Sequence, residues 1–245
     1  EIPEAGRQAK GTAIVNLLEL DPGEKITAVI PVKEFKEGLY LLMITRNGII
    51  KKTNLMEYDS IRKRGLAAIS LQDGDELIRV KLTDGNQEAI LGTHYGKCIR
   101  FSEQDVRPMG RTAHGVKAID LNGDDYVVGM SLIRENADLL VVTENGFGKK
   151  TDLTEYRAQK RGGKGLITYK ITKKTGYVAG IKVITDNDDV MLITSDGTII
   201  RIQSKDISKM GRSTQGVTLM RMNDDVKVVG VARVEEEVEE VEDKE

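Results

Sequence analysis

An internal repeat of about 50 residues constrains this chain more than any other feature. Apolar segments ending in Thr-x-x-Gly occur four times, at Thr45-Arg46-Asn47-Gly48, Thr93-His94-Tyr95-Gly96, Thr143-Glu144-Asn145-Gly146 and Thr194-Ser195-Asp196-Gly197. Their glycines are 48, 50 and 51 residues apart. A second glycine follows a short polar, mostly basic stretch and opens an alternating apolar segment. It occurs at Gly11, Gly65, Gly115, Gly165 and Gly216, with spacings of 54, 50, 50 and 51. In every full unit it lies 17 or 19 residues after the first glycine. Two independent landmarks with one period identify a repeat architecture.

Each unit reads as four short strands. A polar turn such as Asn122-Gly123-Asp124 leads to a β-branched strand, Tyr126-Val127-Val128-Gly129-Met130-Ser131-Leu132. A buried run follows, Leu139-Leu140-Val141-Val142, then an Asn-Gly turn that favours a tight hairpin. The returning strand, Gly146-Phe147-Gly148-Lys149-Lys150-Thr151, leads to the second glycine and a last alternating strand, as in Val116-Lys117-Ala118-Ile119-Asp120-Leu121. Four strands in about 50 residues is the size of a propeller blade, so the expected class is all-β, a propeller-like disc. Helical periodicity is weak apart from single turns near 55–59 and 153–159. Radial blades leave few exposed edges, which suits a strand-rich chain without tryptophan. Residues 1–20 supply a last strand without a hairpin, and 226–234 an opening strand without one; there is no initiator methionine. The expectation is a piece of a longer polypeptide, with four complete repeats and two part-repeats in 1–234.

Charge is divided along the chain. Residues 235–245 hold eight acids and one base, a net of -7, whereas 1–234 hold 36 basic and 31 acidic residues, a net of +5. So dense a block of like charge cannot form a core, and a disordered tail is expected. It acts either as a solubiliser or as a competitor for an anionic ligand of the body. In the second case deleting 235–245 should tighten ligand binding. One cysteine, Cys98, excludes an intramolecular disulfide and a cysteine-based zinc site, and His94 and His114 are far apart, so no metal site is expected. No run approaches the ~20 apolar residues of a spanning helix, and Glu1-Ile2-Pro3-Glu4 lacks the features of a signal peptide. A cytoplasmic protein with no membrane association is expected.

Cations recur in register with the repeat. Four residues before the second glycine stand Arg7, Ile61, Arg111, Arg161 and Arg212; directly before it stand Lys10, Arg64, His114, Lys164 and Gln215. Arg62 and Lys63 enrich the second of these loops. Four residues after the hairpin glycine every repeat has a base, at Lys52, Arg100, Lys150 and Arg201. A cation repeated at one blade position makes a positive belt around a disc, suited to a regular polyanion such as the backbone of duplex DNA. Solubilisation of blade edges, with pairing to Glu57, Asp152 or Glu155, is the plain alternative. The richest loop is Gln159-Lys160-Arg161-Gly162-Gly163-Lys164-Gly165, three cations and three glycines in seven residues, able to grip a phosphate through exposed N–H groups. It is not a nucleotide-binding P-loop, because Gly-Lys is not followed by Ser or Thr.

This loop resembles the box motif of the DNA gyrase A C-terminal domain family. Gly110-Arg111-Thr112-Ala113-His114-Gly115-Val116-Lys117, Thr143-Glu144-Asn145-Gly146-Phe147-Gly148-Lys149-Lys150-Thr151 and Gly211-Arg212-Ser213-Thr214-Gln215-Gly216-Val217 resemble its blade signatures, and the likeness runs over 1–234. The resemblance implies a β-pinwheel whose hairpins exchange between blades, and duplex DNA bent around its rim with positive handedness. It also implies partners, the remaining parts of the gyrase A chain and the gyrase B chain in an A2B2 enzyme, and a bacterial, nucleoid-associated setting. ATP and Mg2+ serve that intact enzyme, and none is implied for this fragment. The family's breakage tyrosine, metal site and ATPase lie elsewhere, so no residue here is assigned a catalytic role; Tyr58 and Tyr156 read as packing residues. Family members usually have six blades with the box in the first, whereas here the box is the fourth of five, which places the first blade upstream of Glu1. Five loops each neutralising about two phosphates would give log affinity against log salt a slope near -9. The alternatives are the corresponding domain of topoisomerase IV, whose boxes are typically degenerate, a propeller serving as a protein-interaction scaffold, and an enzyme with a site in a central channel.

Overall fold

The computed structural model describes residues 9, 10, 12, 23, 24, 26–60 and 65–234. Four hairpins form where the repeat places them: β1 (Tyr40–Thr45) with β2 (Ile49–Asn54), β4 (Glu88–Thr93) with β5 (Lys97–Ser102), β8 (Asp138–Thr143) with β9 (Phe147–Asp152), and β12 (Asp189–Thr194) with β13 (Ile199–Gln203). The turn glycines Gly48, Gly96, Gly146 and Gly197 all have φ between 76° and 85°, the left-handed region that these tight turns require.

The remaining strands do not pair within their own repeat. β3 (Leu77–Thr83), β7 (Val127–Leu132), β11 (Val178–Ile184) and β15 (Val228–Val234) each precede a hairpin or the chain's end, yet each pairs with the hairpin behind it: β3 with β1, β7 with β4, β11 with β8 and β15 with β12. The outer strands β6 (Val116–Lys117), β10 (Leu166–Ile167) and β14 (Val217–Thr218) come from further along still, pairing with β2, β5 and β9. The sheets therefore run β3-β1-β2-β6, β7-β4-β5-β10, β11-β8-β9-β14 and β15-β12-β13, giving four blades among the described residues. Each blade takes strands from more than one repeat, in keeping with the exchange between blades that the resemblance implied, and the strand at 226–234 completes the fourth of these sheets. The returning-strand edges of β2, β5 and β9 are covered by strands from further along the chain, which interlocks the blades.

The core lies between blades. Leu42 and Ile44 of β1 meet Ala89 and Leu91 of β4 and Met130 of β7; Ile90 on the other face of β4 meets Leu139 and Val141 of β8; Leu140 and Val142 on the other face of β8 meet Val190 and Leu192 of β12. Strands covered on both faces carry unbroken apolar runs, which is why Leu139-Leu140-Val141-Val142 does not alternate. A 3-10 turn follows each hairpin, at Leu55–Tyr58, Glu103–Asp105, Leu153–Glu155 and Ser204–Asp206. The first and third were expected; the other two lack a leading apolar residue. Tyr156 is buried and its hydroxyl lies 2.6 Å from Thr168 Oγ1, a packing role as read. Cys98 is buried and burial pushes its thiol up to about 12.

The second glycine of the repeat is where blade pieces meet. Gly115, Gly165 and Gly216 have φ of 104°, 71° and 68°, and a Cβ would lie 2.5–2.6 Å from the carbonyl oxygens of Ile50, Cys98 and Gly148. Each of these carbonyls belongs to the returning strand of the hairpin that the box segment joins. Gly65 shares the φ of 71° seen at Gly165 but has no atom of the described residues within 4 Å of a Cβ, and 65–72 forms no strand.

Candidate nucleic-acid interface

The box loops 110–115, 159–165 and 211–216 line up with outer strands into one band. Each loop starts against its blade's returning strand: the N–H groups of Met109, Gln159 and Met210 donate to the carbonyls of Lys52, Arg100 and Lys150, at 2.8 Å in each case. Each loop then bonds sideways to the segment that follows the preceding box. Ser70 N–H donates to Ala113 O at 3.3 Å, Asp120 N–H to Gly163 O at 2.9 Å, and Lys170 N–H to Thr214 O at 3.1 Å. The order along the band is segment 66–71, box, segment 116–120, box, segment 166–170, box.

The loop arginines stitch this band. Arg161 donates from Nε to Asp105 O at 2.9 Å and from Nη1 to Lys117 O at 3.1 Å; Arg212 donates from Nη1 to Ile167 O at 3.0 Å. Gly162 N–H donates to Ala118 O at 2.6 Å. Lys160 and Lys164 are exposed beside Arg161, whereas Gly162, Gly163 and Gly165 are partly covered. Gln159 is half-buried, and its buried Nε2 has no hydrogen-bond partner among the described residues. Lys117, Lys170, Arg107 and Arg157 add exposed cations on or beside the boxes. They were not singled out from sequence; their positions just before a box or on the strand behind it are the available signal. Lys10 is exposed; Arg7, Arg62, Lys63 and Arg64 lie outside the described residues, as does the acidic segment 235–245.

The cations four residues after the hairpin glycine have a different placement from a rim belt. Lys52 is buried and donates to Glu103 O at 2.8 Å; Lys150 is buried and pairs with Asp186 at 2.6 Å. Arg100 pairs with Glu88 at 2.5 Å and reaches Leu153 O at 3.0 Å. Arg201 is exposed and pairs with Asp189 at 2.5 Å. Lys52 and Arg100 reach main-chain carbonyls of the next blade, at Glu103 and Leu153, so their charge ties blade to blade, while Lys150 is buried against the connection between β11 and β12.

Two lysines that sequence reading passed over hold the boxes from below. Lys51 and Lys149 are fully buried, one residue before Lys52 and Lys150. Lys51 Nζ donates to Ala68 O at 2.6 Å and to Arg111 O; Lys149 Nζ donates to Gly211 O and Arg212 O, both at 2.5 Å, and to Thr214 Oγ1 at 3.1 Å. Burial lowers both amines to about 8, opposed by Glu57 and Glu155 respectively. A base with a lowered folded-state pKa binds fewer protons folded than unfolded, so its contribution to stability rises with pH from about 8 to 10.5 and is lost as pH falls through 8. Urea midpoints across that window should rise more steeply for the parent protein than for Lys149→Met; parallel curves would remove Lys149 from this role.

Among the described residues no group of three His, Cys, Asp or Glu side chains could hold a metal ion, and no helix is long and apolar enough to cross a membrane.

Comparison with known proteins matches this geometry to a family. A family model for the DNA gyrase C-terminal domain, beta-propeller, matches residues 1–33, 39–84, 87–134, 137–185 and 188–235. The DNA gyrase A protein of Clostridium acetobutylicum is 54% identical over 246 residues, covering 100% of this chain and 30% of that protein. The DNA gyrase A protein of Salmonella typhimurium is 46% identical over 242 residues, covering 99% of this chain and 28% of that protein. The chain thus spans less than a third of these relatives. The crystal structure of the C-terminal domain of DNA topoisomerase IV superposes with a TM-score of 0.87 at 33% identity, over 92% of this chain and 71% of that one. The structure of a DNA gyrase A C-terminal domain superposes with a TM-score of 0.83 at 26% identity, over 92% and 76%. With five successive matched segments in one β-pinwheel, this chain belongs to the DNA gyrase C-terminal domain family.

Proposed function

We propose that this chain binds duplex DNA along its band of box loops and bends it around the disc. The observation that carries the reading is the loop at 159–165, which sets exposed Lys160 and Lys164 on a glycine-rich turn in the middle of a continuous band. Such a surface neutralises phosphates and releases counterions without reading bases. Bending then follows from contacts made at successive blades of a curved rim. With Lys52, Arg100 and Lys150 turned inward, about six phosphates are contacted, and the slope of log affinity against log salt is about -5 rather than -9.

In a whole gyrase the wrapped segment would be presented for passage, so that ATP-driven strand passage introduces negative supercoils. The partners are the remainder of the gyrase A chain and the gyrase B chain, in an A2B2 enzyme at the bacterial nucleoid in the cytoplasm. ATP, Mg2+ and the breakage tyrosine act in those other parts. The same domain in topoisomerase IV is the second reading, favoured by the fit to that enzyme's solved domain. The intact box and the identity to two gyrase A proteins favour gyrase.

The test is ligation of nicked circular DNA with increasing protein, followed by deproteinisation and measurement of linking number. A positive shift is expected. Retention of DNA without a shift would leave binding and remove wrapping from this chain; no retention at low salt would overturn the proposal.

A further inference from the structure

The three described box loops are equivalent in register, but an acid is already seated on two of them. In the first blade the Glu57 carboxylate accepts from the main-chain N–H of Arg111 at 3.1 Å. In the third blade the Glu155 carboxylate accepts from the main-chain N–H of Arg212 at 3.0 Å. Both acids stand in the 3-10 turn, nine residues after the hairpin glycine. In the second blade that position is Asp105, one methylene shorter. It meets Arg161 only through its main-chain carbonyl, and the Arg161 N–H has no hydrogen-bond partner among the described residues.

The support beneath the loops differs in the same blades. Lys51 and Lys149 hold the first and third loops by their carbonyls, whereas the second blade has Ile99, whose Cδ1 would lie 3.6 Å from a Cβ on Gly163. Among the described residues the second-blade loop therefore has an unpaired main-chain donor, a buried Gln159 Nε2 without a hydrogen-bond partner, and Lys160 and Lys164 beside it.

We infer that Glu57 and Glu155 are resident occupants of a phosphate seat in the first and third box loops, and that the Asp105 blade holds the open seat. A main-chain N–H flanked by cations takes a carboxylate or a phosphate oxygen in the same way. A tethered carboxylate competes at high effective concentration, and it repels an incoming phosphate besides. The main-chain seat is thus open at one of the three described loops, while exposed cations such as Arg107, Lys117 and Lys170 carry contact along the rest of the band. The inference rests on the phosphate-binding reading above.

The test is an amide titration of the 15N-labelled chain with inorganic phosphate, followed by duplex binding. In the parent protein the Arg161 amide should shift and saturate, while those of Arg111 and Arg212 stay in place. Glu57→Ala and Glu155→Ala should make Arg111 and Arg212 respond, and Asp105→Glu should suppress the response at Arg161. These side chains are exposed, and the rest of the spectrum reports whether the fold is kept. Equal shifts at all three amides, no shift at Arg161, or an unchanged Arg161 response in Asp105→Glu would overturn the inference. The double Glu57→Ala/Glu155→Ala variant should bind duplex DNA about tenfold more tightly at about 0.1 M salt, less than two lysine contacts would give because the opened donors are uncharged main-chain N–H groups. Unchanged duplex affinity in that variant would overturn the resident-occupant assignment. The expected amide pattern with no duplex retention would overturn the DNA reading and leave the seats standing.

Discussion

Gly165→Ala is expected to cost about 2–5 kcal/mol of stability, against about 1–2 kcal/mol for Gly65→Ala. Both glycines have φ of 71°, so the penalty for placing an L-residue in the left-handed region is common to both. They differ in surroundings. A Cβ on Gly165 would sit 2.6 Å from Cys98 O and 3.1 Å from Cys98 C, main-chain atoms of β5 that cannot move aside without breaking the junction with β10. A Cβ on Gly65 meets no atom of the described residues within 4 Å. The excess at Gly165 therefore measures what strand exchange demands at one blade. Urea unfolding of the two variants gives the comparison directly. Equal losses would mean that the glycine is required only for its backbone angle.

Lys160→Ala with Lys164→Ala is expected to weaken duplex binding by roughly 50–100-fold at about 0.1 M salt and to flatten the salt slope by about 2. Both side chains are exposed, and neither makes an internal hydrogen bond or ion pair among the described residues, so stability should change by less than about 0.5 kcal/mol. Arg161 is the contrasting case. Its Nε and Nη1 groups hold Asp105 O and Lys117 O, so Arg161→Ala should lower stability as well as affinity. Lys52→Met provides the opposite control, acting on stability with little change in the salt slope, because its amine is buried against Glu103 O. A slope unchanged in the Lys160/Lys164 double variant would remove the 159–165 loop from the interface.

Much of the architecture was legible from sequence because it is local. Asn-Gly or Asp-Gly turns with a flanking apolar run specify three of the hairpins locally, the other carries Tyr95-Gly96 at the same place in the repeat, and all four formed at the marked glycines. The 3-10 turns at Leu55–Tyr58 and Leu153–Glu155 were legible through their leading leucines, while Glu103 and Ser204 gave no such signal. Lys52, Arg100 and Lys150 of the cation column turn inward for a physical reason. Alternation tells inside from outside only when one strand face is wet, and the hairpin strands of the first three blades are packed on both faces, unlike β13. Lys51 and Lys52 are adjacent in sequence, as are Lys149 and Lys150, and all four are buried beneath neighbouring loops and blades.

Sequence alone determined the period, the hairpins, the glycine positions and the identity of the richest box loop. The tertiary structure decided the pairing: β6 joins β2 across some sixty residues, and β10 joins β5 across a similar span. It also decided which cations face water and which loop has an unoccupied N–H. A strand's edge hydrogen bonds are chemically alike wherever they occur, so local sequence cannot name the partner. The choice is made by the interfaces that close when neighbouring blades pack, and those interfaces exist only in the assembled disc.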